Sequence, residues 1–273
     1  AAFEEAKRLN RIFSDYDAGS EVSRLSNSSY NSKKIKVSEE LFEVLAFSKL
    51  LASESGGAFD PTLGRLSRLW RISRFRKSLP TASSIEKAMN QVGREYLKLK
   101  PVEKEVTLLK PGIILDLGGI AKGYTADHMM LLLKKRGFDC CLIDAGGFLT
   151  LGKRPRKRPG WNIQVGGEKH PDLPLLTLEN CSVATSGDYS QFVEINGRKY
   201  SHILDPLTGY GLENLSQVTV IASNGMTADS LATAFSVLGP EKSKNLGLLK
   251  NYQNIRAFFV TQKENNQVLE LLQ

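Results

Sequence analysis

Apolar residues recur at helical spacing in some stretches of the chain and alternate with polar residues in others. Helical spacing over residues 3–13 predicts an amphipathic first helix, and a second helix is predicted to begin after Ser38, whose hydroxyl can cap it. Ser83 and Glu86 form the pattern of a capping box for a further helix. Alternation over residues 97–108 predicts a pair of strands.

A buried strand, a glycine turn and a helix are predicted near the middle of the chain. The run GIILDL at residues 112–117 has the length and β-branching of a buried strand, and Asp116 interrupts it near its end. Gly118-Gly119 then turns the chain into an apolar pattern of helical spacing. Such a junction leaves backbone N–H groups at the helix start, where phosphate oxygens bind well. An ordinary strand-to-helix junction has the same pattern, so both interpretations stay open at this point.

A later helix, predicted over residues 226–239, carries a carboxylate and a hydroxyl on one face. Asp229 and Thr233 are four residues apart, which is about one helical turn. Magnesium is a hard cation that prefers oxygen ligands, so this pair suits Mg²⁺. Together with the glycine turn, the pair predicts a phosphate-bearing ligand that binds with magnesium.

The remaining pattern favours an α+β fold with a mixed sheet and helices. The Asn196-Gly197 pair predicts a hairpin. Further strands are predicted at residues 140–143, 161–165, 218–222, 257–260 and 267–272. Strands and helices alternate along the chain, but hairpins lie among them, which argues against a doubly wound sheet. Since no repeat or linker divides the sequence, a single domain over residues 1–273 is expected.

Composition and charge narrow the classes of protein. The 273 residues carry a formal net charge of +8, which permits acidic partners. Basic residues gather at 65–77 and 154–159, but no nucleic-acid-binding motif accompanies them, so no nucleic-acid partner is expected. No apolar run is long enough to span a membrane, and the three cysteines fit no standard metal site. The sequence begins without Met, and we expect an N-terminal targeting segment to be missing from it.

His202 is the histidine with the best claim to chemistry. It precedes Pro206 and Gly209, which predict a shaped loop at the end of a strand. A neutral imidazole can act as a general base, but a lone histidine can equally brace a loop. The chain lacks a dinucleotide-binding fingerprint, a P-loop and a nucleophile elbow.

Six motifs follow one another along nearly the whole chain. They are SDYDAGSEVSRLS (residues 14–26), GAFDPTLGRLSRLW (57–70), DLGGIAKGYTAD (116–127), ATSGDYSQF (184–192), SHILDPLTGYG (201–211) and MTADSLATAFSVLG (226–239). In this order they resemble the FAD:protein FMN transferase family, also called the ApbE family. No single motif is decisive, but six in the same order are specific.

The resemblance implies an ApbE-like flavin transferase fold and a magnesium-dependent enzyme. Such an enzyme splits FAD, releases AMP and joins FMN through its phosphate to a threonine hydroxyl of an acceptor protein, such as a redox-complex subunit. It also implies a location in the bacterial periplasm or at the outer face of the inner membrane, with a lipid anchor in the full-length protein. Two other functions stay open: an FAD pyrophosphatase that gives FMN and AMP, and a non-catalytic FAD-binding protein.

The resemblance also assigns roles to residues of this chain. His202 matches the histidine that acts as a base. The implied magnesium ligands are Gly119 (through its carbonyl), Asp229, Ala232 and Thr233. The residues implied to contact the flavin nucleotide are Tyr16, Ala58, Phe59, Asp60, Asp116, Lys122, His202 and Ile203.

Four positions depart from the family pattern. Some relatives have Asp at the position of Ala232, which offers only a backbone oxygen, and Lys122 is acidic in some relatives. Phe148 stands where Asp or Asn is common, and Gly211 replaces a frequent proline. The departure at Ala232 concerns the number of metal ions, and that at Lys122 concerns its own role as a contact of the flavin nucleotide. The last two concern the handling of the acceptor.

Overall fold

A computed structural model describes residues 1–31, 33–167, 171–187, 192–213, 216–263 and 266–272. The α-helices are α1 (Ala2–Phe13), α2 (Glu21–Asn27), α3 (Glu39–Glu54), α4 (Gly64–Arg76), α5 (Ala82–Met89), α6 (Ala121–Lys135) and α7 (Gly225–Asn245). The strands are β1 (Ile35–Lys36), β2 (Leu97–Lys100), β3 (Glu105–Leu108), β4 (Leu142–Asp144), β5 (Phe148–Leu151), β6 (Trp161–Gln164), β7 (Leu175–Leu178), β8 (Cys181–Gly187), β9 (Phe192–Ile195), β10 (Arg198–Ser201), β11 (Ser216–Ala222), β12 (Arg256–Lys263) and β13 (Asn266–Leu272).

The chain divides into two compact units, and each unit is discontinuous in sequence. The first unit comprises Ala1–Leu9, Gly119–Tyr189 and Leu215–Gln273, and the second comprises Asn10–Gly118 and Ser190–Asn214. The sequence, which predicts a single domain, shows no linker at these boundaries. The reason is that each unit is assembled from separate stretches of chain rather than from one half of it.

The first unit is built on a six-stranded sheet with the strand order β13-β12-β11-β8-β5-β4. Neighbouring strands of this sheet are antiparallel. Helix α7 packs on β8 and β11, and α6 packs on α7. The β6-β7 pair contributes Ile163 and Leu178 to an apolar cluster with Val183 and Phe258 of the sheet. These contacts fix the two helices that carry the predicted magnesium ligands.

Helices α6 and α7 approach so closely that neither can carry a side chain where they meet. A Cβ atom on Gly123 would overlap the carbonyl oxygen of Gly225 and lie 2.9 Å from Cβ of Asp229. A Cβ on Gly225 would in turn overlap the backbone of Gly123. Because both residues are glycine, the two backbones can touch at this point.

The second unit packs α4 and α5 around Trp70. The indole is 1 % exposed, and its Nε1 donates to the carbonyl oxygen of Gly209 at 2.8 Å. Its ring lies 5.4 Å from the ring of Tyr200 on β10. The same cluster contains Leu66, Ile85, Ala88, Val193, Ile195 and Leu204. The loop that follows β10 is therefore held against the core of this unit.

The α+β class and most of the predicted elements are confirmed. Helices α1, α3 and α6 lie where the periodicity places them, and Ser38 caps α3 by accepting from the Leu41 N–H at 3.2 Å. Strands β9 and β10 form the predicted hairpin, with Asn196 and Gly197 at φ 52° and 74°. The sequence predicts a mixed sheet, but the ladders between the strands named above are antiparallel. Among the described residues, parallel pairing is limited to one isolated bridge.

The strand predicted at residues 112–117 is wrong. Residues 111–112 lie in a turn, and residues 113–117 make only one isolated parallel bridge, between Ile114 and Leu63, while the Asp116 N–H donates to the carbonyl oxygen of Pro61 at 2.8 Å. The neighbouring segment cannot continue as a strand, because Pro61 has no N–H and α4 begins at Gly64. The run of apolar residues here reflects burial without a sheet.

Two helices lie in stretches for which the sequence predicts no helix, and one cap is displaced. Helix α2 lies in the polar segment 14–26, where Ser20 caps it by accepting from the Ser23 N–H at 3.1 Å. Helix α4 begins soon after Pro61, in a run where the sequence predicts no helix. The N-cap of α5 is Thr81 rather than Ser83, and its Oγ1 accepts from the Ser84 N–H at 3.2 Å.

Gly123→Ala should lower the free energy of unfolding, because the added methyl group has no room against α7. Overpacking of this kind costs about 1–3 kcal/mol, and the helical preference of alanine returns only about 1 kcal/mol. The measurement is urea unfolding followed by circular dichroism. The control is Gly19→Ala, whose Cβ would lie 3.3 Å from a movable carboxylate oxygen of Asp17. If the two variants unfold at the same urea concentration, the close helix crossing is not the constraint described here.

Candidate functional site

In the first unit, the Asp229 carboxylate is buried where the start of α7 crosses the start of α6. The residue is 3 % exposed, and its Oδ2 accepts from the Gly123 N–H at 3.1 Å. Its Oδ1 lies 3.3 Å from Nζ of Lys122, whose side chain is 52 % exposed. The carboxylate charge is therefore balanced by an amide dipole from the first turn of α6 and by an ammonium group that also reaches solvent.

A second carboxylate, Asp127, fixes the start of α7. Its two oxygens accept from the Gly225 N–H at 2.7 and 2.8 Å, and Oδ2 also accepts from the Met226 N–H at 3.0 Å. Asn224 adds the usual side-chain cap, accepting from the Thr227 N–H at 2.8 Å. A negative charge at this end of a helix is favourable, so Asp127 ties α6 to α7. The sequence places Asp127 in the DLGGIAKGYTAD motif but gives it no role.

The oxygen atoms near Asp229 fit a single magnesium ion by their chemistry. Thr233 Oγ1 donates to the backbone oxygen of Asp229 at 3.1 Å, so its lone pairs remain for a ligand. Ala232 is fully buried and has no side-chain oxygen, and its carbonyl accepts from the Ser236 hydroxyl at 2.8 Å. Gly119 lies in the turn before α6.

The donor set is therefore small. In the described ranges, no group of three or more His, Cys, Asp or Glu side chains could hold a metal ion. One carboxylate, one hydroxyl and a carbonyl suit a magnesium ion that keeps waters or takes substrate phosphate oxygens. The assignments of Gly119, Asp229, Ala232 and Thr233 as ligands stay predictions, and Ala232 is the least suited of the four.

In the second unit, Arg71 on α4 brings together two residues predicted to bind the flavin nucleotide. Its guanidinium lies 2.6 Å from a carboxylate oxygen of Asp15 and 3.9 Å from one of Asp116. Its Cζ also lies 4.0 Å from the ring centroid of Tyr16, which is 78 % exposed. Sequence reasoning missed Arg71, because it is one of several arginines in the basic run 65–77 and no spacing marks it. Asp116 also accepts from the Gly118 N–H at 2.8 Å, which shapes the turn that leads to α6.

Ala58, Phe59 and Asp60 lie inside the second unit, with no more than 5 % of each residue exposed. Asp60 Oδ1 accepts from the Thr62 N–H at 2.8 Å and from the Thr62 hydroxyl at 2.5 Å. Burial raises the pKa of the Asp60 carboxyl, although its hydrogen bonds with Thr62 act in the opposite direction. With so little surface, these residues position their neighbours, and their direct contact with the flavin nucleotide stays a prediction.

His202 begins a closed loop after β10 and is partly buried. The Ile203 N–H donates to the Ser201 hydroxyl at 3.0 Å, and the Gly209 N–H donates to the carbonyl oxygen of Asp205 at 2.8 Å. Gly209 also accepts from the indole of Trp70, as described above. The loop that carries His202 is therefore held by its own hydrogen bonds and by contact with a packed core.

Two of the departures from the family pattern have a packing explanation. Phe148 is 3 % exposed on β5, where an acidic or amide side chain would be buried among apolar neighbours. A Cβ on Gly211 would lie 2.7 Å from the carbonyl oxygen of Ser201, so this loop packs too closely for a proline ring. Of the ATSGDYSQF motif, residues 188–191 lie outside the described residues, and Thr185 shares a hydrogen bond of 3.1 Å with Thr219.

Solved structures with this arrangement are flavin transferases. A histidine-to-glycine mutant of the flavin transferase ApbE from Vibrio cholerae superposes with a TM-score of 0.88 at 27% identity, covering 99% of this chain and 86% of that one. The apo form of the Pseudomonas stutzeri flavinyl transferase ApbE gives a TM-score of 0.86 at 30% identity, covering 100% and 84%. The fold is therefore that of the ApbE flavin transferases.

The sequence gives the same result: the chain belongs to the ApbE family, whose model matches residues 1–259. The FAD:protein FMN transferase of Treponema pallidum (strain Nichols) is 33% identical over 252 residues, which are 86% of this chain and 69% of the relative. That of Klebsiella pneumoniae (strain 342) is 32% identical over 271 residues, covering 96% and 82%.

Asp60→Asn should change how stability depends on pH. Because the folded pKa of Asp60 is raised, the folded protein binds more protons than the unfolded chain above the ordinary value of 3.8, so stability falls as pH rises through this window. Asparagine does not ionise. The variant should therefore lose the decrease in stability that begins near pH 4. Melting temperatures measured across the acidic to neutral range test this, and a variant that keeps the decrease would contradict it.

Proposed function

We propose that this protein transfers FMN from FAD to a threonine hydroxyl of an acceptor protein and releases AMP in a magnesium-dependent reaction. The observation that carries the proposal is the buried Asp229 carboxylate at the crossing of α6 and α7, beside a helix start with its N–H groups. Membership of the ApbE family supports the same activity, since its relatives are named for this transfer.

The reaction exchanges one bond to phosphorus for another. The threonine oxygen bonds to the phosphorus of the FMN half of FAD, and the bond from that phosphorus to the bridging oxygen breaks. AMP leaves with the bridging oxygen and its electron pair, and the threonine proton must be accepted by a base. Phosphoryl transfer depends on positioning and charge neutralisation more than on covalent chemistry by the protein.

The residues of the first unit neutralise the pyrophosphate. Asp229, Thr233 and the Gly119 carbonyl would hold Mg²⁺, which would neutralise charge on the phosphate oxygens. The N–H groups at the start of α6 donate to anionic oxygens. The half-exposed Lys122 ammonium, 3.3 Å from Asp229, adds a positive charge that can move to a phosphate oxygen. This single carboxylate, already paired with Lys122, favours one metal ion rather than two.

The residues of the second unit are proposed to bind FAD and activate the acceptor. Tyr16 offers an exposed ring and Asp116 a carboxylate, and both are oriented by Arg71. His202 is the proposed base for the threonine proton, because a neutral imidazole nitrogen can accept a proton. The N–H of Ile203, next to it, donates to the Ser201 hydroxyl and its carbonyl oxygen accepts from the Leu212 N–H at 3.0 Å, so contact of Ile203 with the nucleotide stays a prediction.

The cellular setting is part of the proposal and rests on the family resemblance. It comprises a threonine-bearing subunit of a redox complex as acceptor, the periplasm or the outer face of the inner membrane as location, and a lipid anchor in the full-length protein. In the described part of the chain, no helix is long and apolar enough to cross a membrane.

Incubation with FAD and Mg²⁺, with and without a threonine-containing acceptor, separates the proposed activity from its rivals. Chromatography measures AMP, and in-gel fluorescence measures flavin bound to the acceptor. AMP release together with a fluorescent acceptor supports the transferase. AMP release without flavin on the acceptor would indicate a pyrophosphatase, and intact FAD would indicate a binding protein.

Asp229→Asn should abolish the response to magnesium while leaving the fold intact, because the amide keeps the shape but loses the charge that attracts the cation. The measurements are the Mg²⁺-induced rise in melting temperature and Mg²⁺-dependent AMP release. The matched control is Asp127→Asn, which weakens the cap of α7 by about 0.5–2 kcal/mol but should keep the magnesium response. A normal magnesium response in Asp229→Asn would remove this residue from the metal site.

His202→Ala should lose about 10²–10⁴-fold in FMN transfer, the usual contribution of a general base, while the affinity for FAD changes little. Affinity is measured by fluorescence quenching and transfer by in-gel flavin fluorescence. Thr208→Ala, an exposed position on the same loop, should leave both properties unchanged. Equal losses of affinity and transfer in His202→Ala would return His202 to a structural role.

A further inference from the structure

The outer face of α4 and the turn that follows it expose apolar side chains in the second unit. Ile72 is 52 % exposed, Phe75 is 90 % exposed, and Leu79 lies exposed just beyond the helix. Ile72 and Phe75 are three residues apart and so lie on one face, opposite the buried Trp70. Neither the proposed transfer reaction nor the core of the unit uses these side chains.

The stretch of sequence that carries these residues has positive charges only. Between Asp60 and Glu86 the sequence has no acidic residue and six basic ones. They are Arg65, Arg68, Arg71, Arg74, Arg76 and Lys77. Arg71 is turned towards Asp15 and Asp116, but Arg68, Arg76 and Lys77 are exposed next to the apolar residues. The surface therefore combines projecting apolar groups with a positive field.

An open cavity continues this surface on its other side. It has a volume of about 840 Å³ and lies between α4, α5 and residues 112–114. Arg65, Arg68 and Lys87 lie along it, together with Ile72. Arg65 also donates through Nε to the carbonyl oxygen of Gly112 at 2.8 Å, which fixes its guanidinium at the wall. The cavity offers room and positive charge for a phosphate-bearing head group.

We propose that this face docks on an anionic phospholipid bilayer, with Phe75, Ile72 and Leu79 entering the interface and the surrounding arginines contacting lipid phosphates. Interfacial elements combine apolar residues with Arg and Lys in this way, and long arginine side chains reach back to the head groups. The nearly fully exposed Phe75 projects from the last turn of α4 rather than lying in a flat, rimmed patch. A deformable bilayer accommodates such a shape better than the surface of a folded acidic protein does.

The test is co-sedimentation of the whole chain with vesicles of phosphatidylcholine, with and without phosphatidylglycerol. Binding should require phosphatidylglycerol and weaken with added salt. Phe75→Ser should lower the affinity about tenfold, and Arg68→Ala or Arg76→Ala about fivefold each. Unchanged melting temperatures show that these exposed substitutions leave the fold intact. Binding to phosphatidylcholine alone, or equal binding by Phe75→Ser, would overturn the proposal.

The matched control is Phe138→Ser. Phe138 is 62 % exposed just beyond α6, where it follows Lys134, Lys135 and Arg136. If apolar insertion is specific to α4, this substitution should leave vesicle binding unchanged. An equal loss in both variants would mean that any basic, apolar spot binds lipid, and would overturn the assignment to α4.

Phe75→Trp reports directly on what covers the surface. Its fluorescence should shift to shorter wavelength on anionic vesicles and be quenched by lipids with brominated acyl chains, because the ring enters the hydrocarbon boundary. A shift with polyglutamate but no quenching by brominated lipid would indicate an acidic protein partner instead. Sedimentation equilibrium tests the remaining occupant, since a dimer that Phe75→Ser dissociates would make this face an interface between two copies. Either result would overturn the proposal.

Discussion

The contact between the backbones of α6 and α7 at Gly123 and Gly225 determines the geometry of the predicted metal site. Without a Cβ on either residue, the Gly123 amide can reach the Asp229 carboxylate, and the carboxylate can be buried without losing its hydrogen bond. Asp127, on α6, stabilises the same crossing, because its carboxylate accepts from the Gly225 and Met226 N–H groups at the start of α7. The position of the Asp229 carboxylate, the predicted metal ligand, thus depends on the close approach of two backbones, which tolerates little movement.

Cations organise the predicted site residues in each unit. In the first unit, Lys122 pairs with the buried Asp229 and still reaches solvent. In the second, Arg71 holds Asp15 and orients Tyr16 and Asp116. In both cases a positive group lies beside an anionic one, so neither charge is left uncompensated. The formal net charge of the whole chain, +8, also favours anionic ligands.

Local signals in the sequence predicted what local interactions decide. Ser38 predicts the start of α3 because its hydroxyl bonds an N–H only three residues away, and Asn196-Gly197 predicts a hairpin because both residues accept a positive φ. The segment 112–117 shows the limit of such signals. Its apolar run correctly indicates burial, but whether a buried segment joins a sheet depends on a partner elsewhere, and here Pro61 and the start of α4 remove that partner.

The sequence by itself determined the helices with strong periodicity and the placing of Asp229 and Thr233 on one helix face, because both depend on residues within a few turns of each other. It also determined the order of the six motifs, which can be read directly along the chain. Only the tertiary structure decided which charges meet. Arg71 contacts Asp15 and Asp116 across long stretches of chain, Asp127 caps a helix almost a hundred residues later, and Ala232 is buried with its carbonyl engaged. These contacts join residues that are distant in sequence, and no spacing along the chain encodes such a distance in space.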